Sequence, residues 1–135
     1  MEFTTQIGTT EEQSKRLLAL GLKAETADMR YRTLYFDLDG ILLESGHSLE
    51  LNPPLNNDDF IPAWSLHRLL AMLTYQVIYN GKKYEPVIAI DGMAYGDVCD
   101  KDPVVGWSGD LYTDVIDCIE WIISQEQFNP DYLKR

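Results

Sequence analysis

The stretch YQVIYNGKKYEPVIAI, residues 75–90, decides the fold class of this sequence. Two runs rich in β-branched and aromatic residues, 75–79 and 84–90, flank a polar centre that begins at Asn80-Gly81. Asn and Gly both tolerate the positive φ angles that a type I′ turn requires. The stretch therefore predicts an antiparallel β-hairpin.

The sequence on either side of this hairpin predicts the rest of the fold. The runs MAYGDVCD (93–100) and PVVGWS (103–108) follow as two short strands, which makes an antiparallel meander over about residues 75–108. Helix signals lie in three places. The first is a capping-box spacing from Thr9 or Thr10, with Gly21 at the helix end; the second is a set of leucines at helical spacing after Ser65 as the N-cap; the third is an apolar stripe that includes Ile119, after Asp110 as the cap. We predict an α+β fold, an antiparallel β meander with three main helices packed on it, as a single domain over residues 1–135.

A second hairpin is predicted upstream. Strand-forming residues 33–36 and the apolar run 41–43 flank Asp39-Gly40, a dipeptide that suits tight turns. Residues 45–59 are polar, contain Pro53 and Pro54, and are predicted to form a loop.

The same stretch contains YFDLDGILLES (35–45), which is similar to the first motif of haloacid-dehalogenase-type phosphotransferases. In such an enzyme Asp37 would attack phosphorus, Asp39 would protonate the leaving group, and Mg²⁺ would neutralise the phosphate. The context differs from that family: Ile41 follows the glycine where Thr or Val is usual, and the chain predicts a meander rather than parallel βαβ units. We therefore favour a turn with outward-facing carboxylates and keep the phosphotransferase as an alternative.

Three acids in YGDVCDKD (95–102) form the other candidate site. Asp97, Asp100 and Asp102 resemble a late acidic metal motif, but they lack the spacing and the closing Glu of a calcium loop. Surface turn acids are the preferred interpretation. His47 and His67 are unrelated in the pattern, so we expect no metal and no other cofactor.

Charge limits the choice of partner. The net charge of -11 comes entirely from residues 33–135, and residues 84–131 hold 11 acids against one base, Lys101. Such a surface repels phosphate backbones, so direct binding of nucleic acid is not expected. Solubility is the simplest interpretation; a basic protein partner and mimicry of a polyanion are the alternatives. No apolar run is long enough for a membrane span, and Cys99 and Cys118 form no disulfide-like pattern, which favours the cytoplasm.

Three segments resemble a group of short proteins of unknown function from gut Bacteroidetes and their phages or mobile elements. They are LLALGLKAETADM, IPAWSLHRLLAML and DLYTDVIDCIEWIIS, which contain an "LG" helix end, "TADM" and "PAWSL". The resemblance implies a mobile-element origin and a cytoplasmic location, and it implies no activity and no site residue. By exclusion, the expected function is a small acidic, non-enzymatic protein that binds another protein, with Trp64 and Trp107 as the aromatic contact candidates.

Overall fold

A computed structural model describes residues 6–51, 53, 60–89, 92–99 and 102–134. The chain divides into two compact units, Met1–Arg68 and Leu69–Arg135.

The first unit opens with helix α1, Glu11–Ala19. A capping box begins it: the Thr10 hydroxyl accepts from the Gln13 amide, and the Gln13 side chain accepts from the Thr10 amide. A Schellman motif ends it, because the Leu22 amide donates to the Leu17 carbonyl and Gly21 has a φ of 103°. Both signals were predicted from the sequence.

An antiparallel sheet in the order β2-β1-β3 completes this unit. Strand β1 is Met29–Leu38, β2 is Ile41–Glu50 and β3 is Phe60–Ala63. The predicted hairpin around Asp39-Gly40 is confirmed. The predicted loop over 45–59 is wrong for residues 45–50, which continue β2, while residues 52 and 54–59 lie outside the described residues. Strand β3 was not predicted, since Pro62 marks it as a poor strand; β3 pairs on one side with β1, where proline is tolerated.

Helix α2, Leu66–Ala71, is shorter than its leucine pattern predicted. The predicted cap is present: the Ser65 hydroxyl accepts from the Arg68 amide at 3.1 Å. Of the leucines, Leu69 is fully buried.

The second unit is a four-stranded antiparallel meander with the order β4-β5-β6-β7. The strands are Val77–Tyr79, Lys82–Ala89, Gly92–Asp97 and Pro103–Gly106. Asn80 and Gly81 have φ angles of 50° and 77°, so they form the predicted tight turn.

Helix α3, Leu111–Ser124, packs on β6 and β7 of this meander. The Asp110 carboxylate caps it by accepting from the Thr113 amide. Its buried face contains Val115, Ile116, Cys118, Ile119 and Ile122. The buried Asp114 carboxylate accepts hydrogen bonds from the Met93 amide at 3.2 Å and from the Ser108 amide at 2.7 Å. These bonds connect α3 to β6 and to the loop that precedes α3. The predicted α+β class is confirmed: the described part of the chain forms three α-helices and antiparallel strands.

Candidate protein-binding surface

The far end of the β1–β2 hairpin extends beyond its sheet. Among the residues that the structure describes, β3 pairs with β1 only as far as Arg32. Residues 33–46 form a two-stranded ribbon beyond that point, which we name the distal arm. The near end is anchored to the unit: the Tyr31 hydroxyl donates to the Thr9 carbonyl, and the His47 ring on β2 forms a hydrogen bond with the Glu11 carboxylate on α1. A two-stranded ribbon is only marginally stable in water by itself, so the arm depends on this anchored base.

One side of the distal arm is almost entirely apolar. Side chains alternate between the two faces of a strand, and residues directly opposite each other share a face. The pairs Leu38–Ile41 and Phe36–Leu43, together with Leu34, therefore share one side, which we name the apolar face. Leu34 is 42%, Phe36 46%, Leu38 55%, Ile41 62% and Leu43 38% exposed. Five large apolar side chains side by side in water indicate an interaction surface rather than ordinary surface scatter.

The opposite side of the arm combines apolar and acidic groups. The pairs Tyr35–Glu44 and Asp37–Leu42 lie there, and we name this side the acidic face. Tyr35 is 55% and Leu42 70% exposed, and both carboxylates are exposed as well. Residues 33–46 contain three acids, with Asp39 at the tip, and no base.

The arm carries opposite charges at its two ends. At its base, Arg30 and Arg32 share the Glu50 carboxylate, with N–O distances of 3.0 and 3.5 Å. The hydrogen bond from Arg30 is the main cause that lowers the pKa of Glu50. Arg30 is mostly covered and stacks over the Phe60 ring, whereas the Arg32 side chain is 62% exposed. The base thus presents an accessible cation, and the tip presents Asp39.

The structure places Asp37 and Asp39 at the arm's turn. Asp39 and Gly40 have φ angles of 53° and 84°, and the Asp37 carboxylate accepts the Gly40 amide at 2.9 Å. Asp37 therefore fastens its own turn, as short acidic side chains commonly do. The two carboxylates lie on an exposed tip and not in a pocket, so the geometry offers no enclosed phosphate site.

The two tryptophans have different environments. Trp64 is fully buried, and its indole N–H donates to the Thr26 hydroxyl at 2.9 Å, so the expectation that it is a surface contact is wrong. A buried indole with a satisfied N–H is a core residue. Trp107 is 43% exposed and has a φ of 57°, so it remains available to a partner.

The acids of the 95–102 segment that the structure describes do not form a metal site. Asp97 is buried; its carboxylate accepts from the Cys99 amide and pairs with Lys82 at 3.5 Å. Asp102 meets it through backbone, because its carbonyl accepts from the Asp97 amide. Asp100 lies outside the described residues. Among the residues that are described, no three His, Cys, Asp or Glu side chains come together as a metal site.

Sequence reasoning missed the arm as a surface, although the signal was present. LYF at 34–36 and ILL at 41–43 are continuous apolar runs, not the alternation of a strand with one face in water. Such runs require cover on both faces, and the residues at the far end of this hairpin remain exposed.

Comparison with known proteins gives no relative: no protein family, curated protein or solved structure matches the chain. None of the described helices has the length and apolar character needed to cross a membrane.

Proposed function

We propose that this chain is a non-catalytic protein-binding module and that its acidic face receives a basic partner. The observation that carries the proposal is the exposure of Tyr35 and Leu42 between two exposed carboxylates on an arm that contains no base. Tyrosine is one of the residues enriched in binding hot spots, and Leu42 adds exposed apolar area beside it. The flanking acids add charge complementarity to a surface that carries Lys or Arg.

The fit between arm and partner follows from the positions of these groups. Tyr35 and Leu42 are diagonal neighbours on the ribbon, and Asp37 and Glu44 occupy the other diagonal. The partner would therefore place an apolar group over the centre and basic groups to either side of it. The three acids of the arm steer such a partner, and added salt weakens this field because the Debye length is about 10 Å at 0.1 M.

The compartment is part of the same proposal. We place the binding in the cytoplasm, supported by two cysteines, Cys99 and Cys118, that are both free.

Comparative capture tests the proposal. The immobilised chain is incubated with a lysate of cells that naturally encode it, and bound proteins are quantified by mass spectrometry. The test variants are Tyr35→Ser/Leu42→Ser and Asp37→Asn/Glu44→Gln. The matched controls lie outside residues 33–46: Ile78→Ser removes a 47% exposed apolar side chain, and Glu12→Gln/Asp131→Asn makes the same charge change.

The proposal is supported by one basic protein that both control variants capture and neither test variant captures. Once purified, this protein should bind the chain directly, with an on-rate that falls as the salt concentration rises. A partner lost only when acids of residues 84–131 are neutralised, and displaced by DNA, would instead support mimicry of a polyanion. A partner that all the arm variants retain would refute the proposal.

A further inference from the structure

We infer that the apolar face of the distal arm is covered by a second copy of this chain. This inference goes beyond the proposed function, because it concerns the side of the ribbon opposite the acidic face. The two faces differ in chemistry, because the Asp37 and Glu44 carboxylates lie on the acidic face. Two chains that meet through their apolar faces therefore leave these charges in solvent and apart from each other.

The opposite charges at the two ends of the arm favour a second copy over an unrelated partner. The accessible cation, Arg32, lies at the base of the ribbon, and Asp39 lies at its tip. Asp39 is seven positions further along the chain than Arg32, a distance of about 23 Å along a strand. When two such ribbons pack face to face and antiparallel, each base lies over the other tip, so Arg32 of each copy approaches Asp39 of the other. A surface with opposite charges at its two ends is thus complementary to itself under two-fold symmetry.

The apolar side chains satisfy the same symmetry. A two-fold axis through Phe36 places the two Phe36 rings at the centre and brings Leu34 of each copy against Leu38 of the other. Two packed sheets lie about 10 Å apart, and interdigitating side chains fill that space. Gly46, opposite Leu34, has no atom within 4 Å of the point where a Cβ would lie, so nothing there blocks the approach of the second copy.

A second copy could instead add one of its strands to the edge of β2, but this arrangement fits the structure less well than contact through the apolar face. The pairing of β1 and β2 shifts register between Leu34 and Tyr35, where Ser45 is the extra residue of a β-bulge, and Gly46 has a φ of 126°. A bulge bends the edge and interrupts the ladder that an added strand would continue. Contact through the face requires no such ladder.

Five side chains make a small interface, so we expect a dimer that dissociates on dilution rather than an obligate one. Sedimentation equilibrium of the purified full chain, over about two decades of protein concentration, measures this directly. The wild type should shift from monomer to dimer. Phe36→Ser/Leu43→Ser should raise the dissociation constant at least about a hundredfold. Ile88→Ser, which changes a 54% exposed side chain on β5, should leave it unchanged.

Charge variants test the antiparallel arrangement without removing apolar contact. Arg32→Glu should weaken the dimer about tenfold, because it places two acids together at each end. Adding Asp39→Asn should recover part of the loss, since Asn keeps the turn and removes the repulsion. Circular dichroism checks that each variant is folded.

A wild type that stays monomeric at the highest concentration overturns the inference, and so does a dimer unaffected by Phe36→Ser/Leu43→Ser. Loss of capture by Tyr35→Ser/Leu42→Ser in a monomeric chain would leave the proposed function standing while this inference fails. A dimer that captures no partner would give the reverse result.

Discussion

Asp114 gives the sharpest test of how the second unit is held together. Its carboxylate is fully buried and accepts two backbone amides, those of Met93 and Ser108. Asp114→Asn keeps the shape and removes one acceptor, so one of these amides then faces an NH₂ group. A buried donor left unsatisfied costs about 1–3 kcal/mol, and the remaining bond loses its charge assistance, worth about 1 kcal/mol more. We therefore expect a loss of about 2–4 kcal/mol from a total that is about 5–15 kcal/mol for most domains.

The assay is urea unfolding, monitored by circular dichroism. With an m-value of about 1.5 kcal/mol/M, the expected loss lowers the midpoint by about 1.3–2.7 M. Asp110→Asn is the matched control, because it makes the same chemical change at the cap of the same helix, where Asn serves about as well as Asp. Equal and small shifts for the two variants would refute the reasoning, since they would show that the Asp114 carboxylate holds neither amide.

The remaining predictions concern the core, the thiols and the tip. Ile119→Ala removes a fully buried side chain and should cost about 2–5 kcal/mol in urea unfolding, whereas Ile88→Ala, at a 54% exposed position, should cost far less; similar losses would mean that the buried face of α3 is misassigned. Burial raises the pKa of the Cys118 thiol to about 12, so only the exposed Cys99 should react with a thiol reagent at pH 8, and Cys118 should react only after unfolding. The folded state holds the Cys118 thiol proton more tightly than the unfolded state does. The stability that this proton contributes is therefore complete below the ordinary pKa of 9.0 and is lost as the pH rises towards about 12. Cys118→Ala should make the loss of stability at alkaline pH less steep. With Mg²⁺ and a generic phosphomonoester the chain should show no turnover, and turnover that Asp37→Asn abolishes would restore the phosphotransferase alternative.

Local signals in the sequence predicted most of the elements. The two turns, Asn80-Gly81 and Asp39-Gly40, were predictable because each needs two consecutive positive φ angles, which few other dipeptides tolerate. The caps of α1 and α3 were predictable because their partners are three residues away.

Features that depend on distant partners were not predictable. Strand β3 forms only because β1 offers it a free edge, and Pro62 by itself argues against a strand. The extension of β2 over residues 45–50 depends on pairing with 30–34 of β1. Trp64 was misread because its partner, Thr26, is 38 residues away.

The candidate surface was only partly predictable from the sequence. The sequence around Asp37 and Asp39 marked the segment that forms the distal arm, but it suggested catalytic carboxylates and gave no indication of an exposed surface. Composition gave the acidic charge, whereas the division of the arm into an apolar and an acidic face depends on the pairing register.

Hydrogen exchange tests the central claim, that the distal arm is the surface through which this chain binds a protein partner. The exchange of backbone amides is compared for the chain alone and for the chain saturated with the purified basic protein that capture identifies, at one fixed chain concentration. Residues 33–46 should exchange more slowly in the complex, while β6 and α3 should be unchanged. Slowed exchange around Trp107, with no change in residues 33–46, would contradict the account.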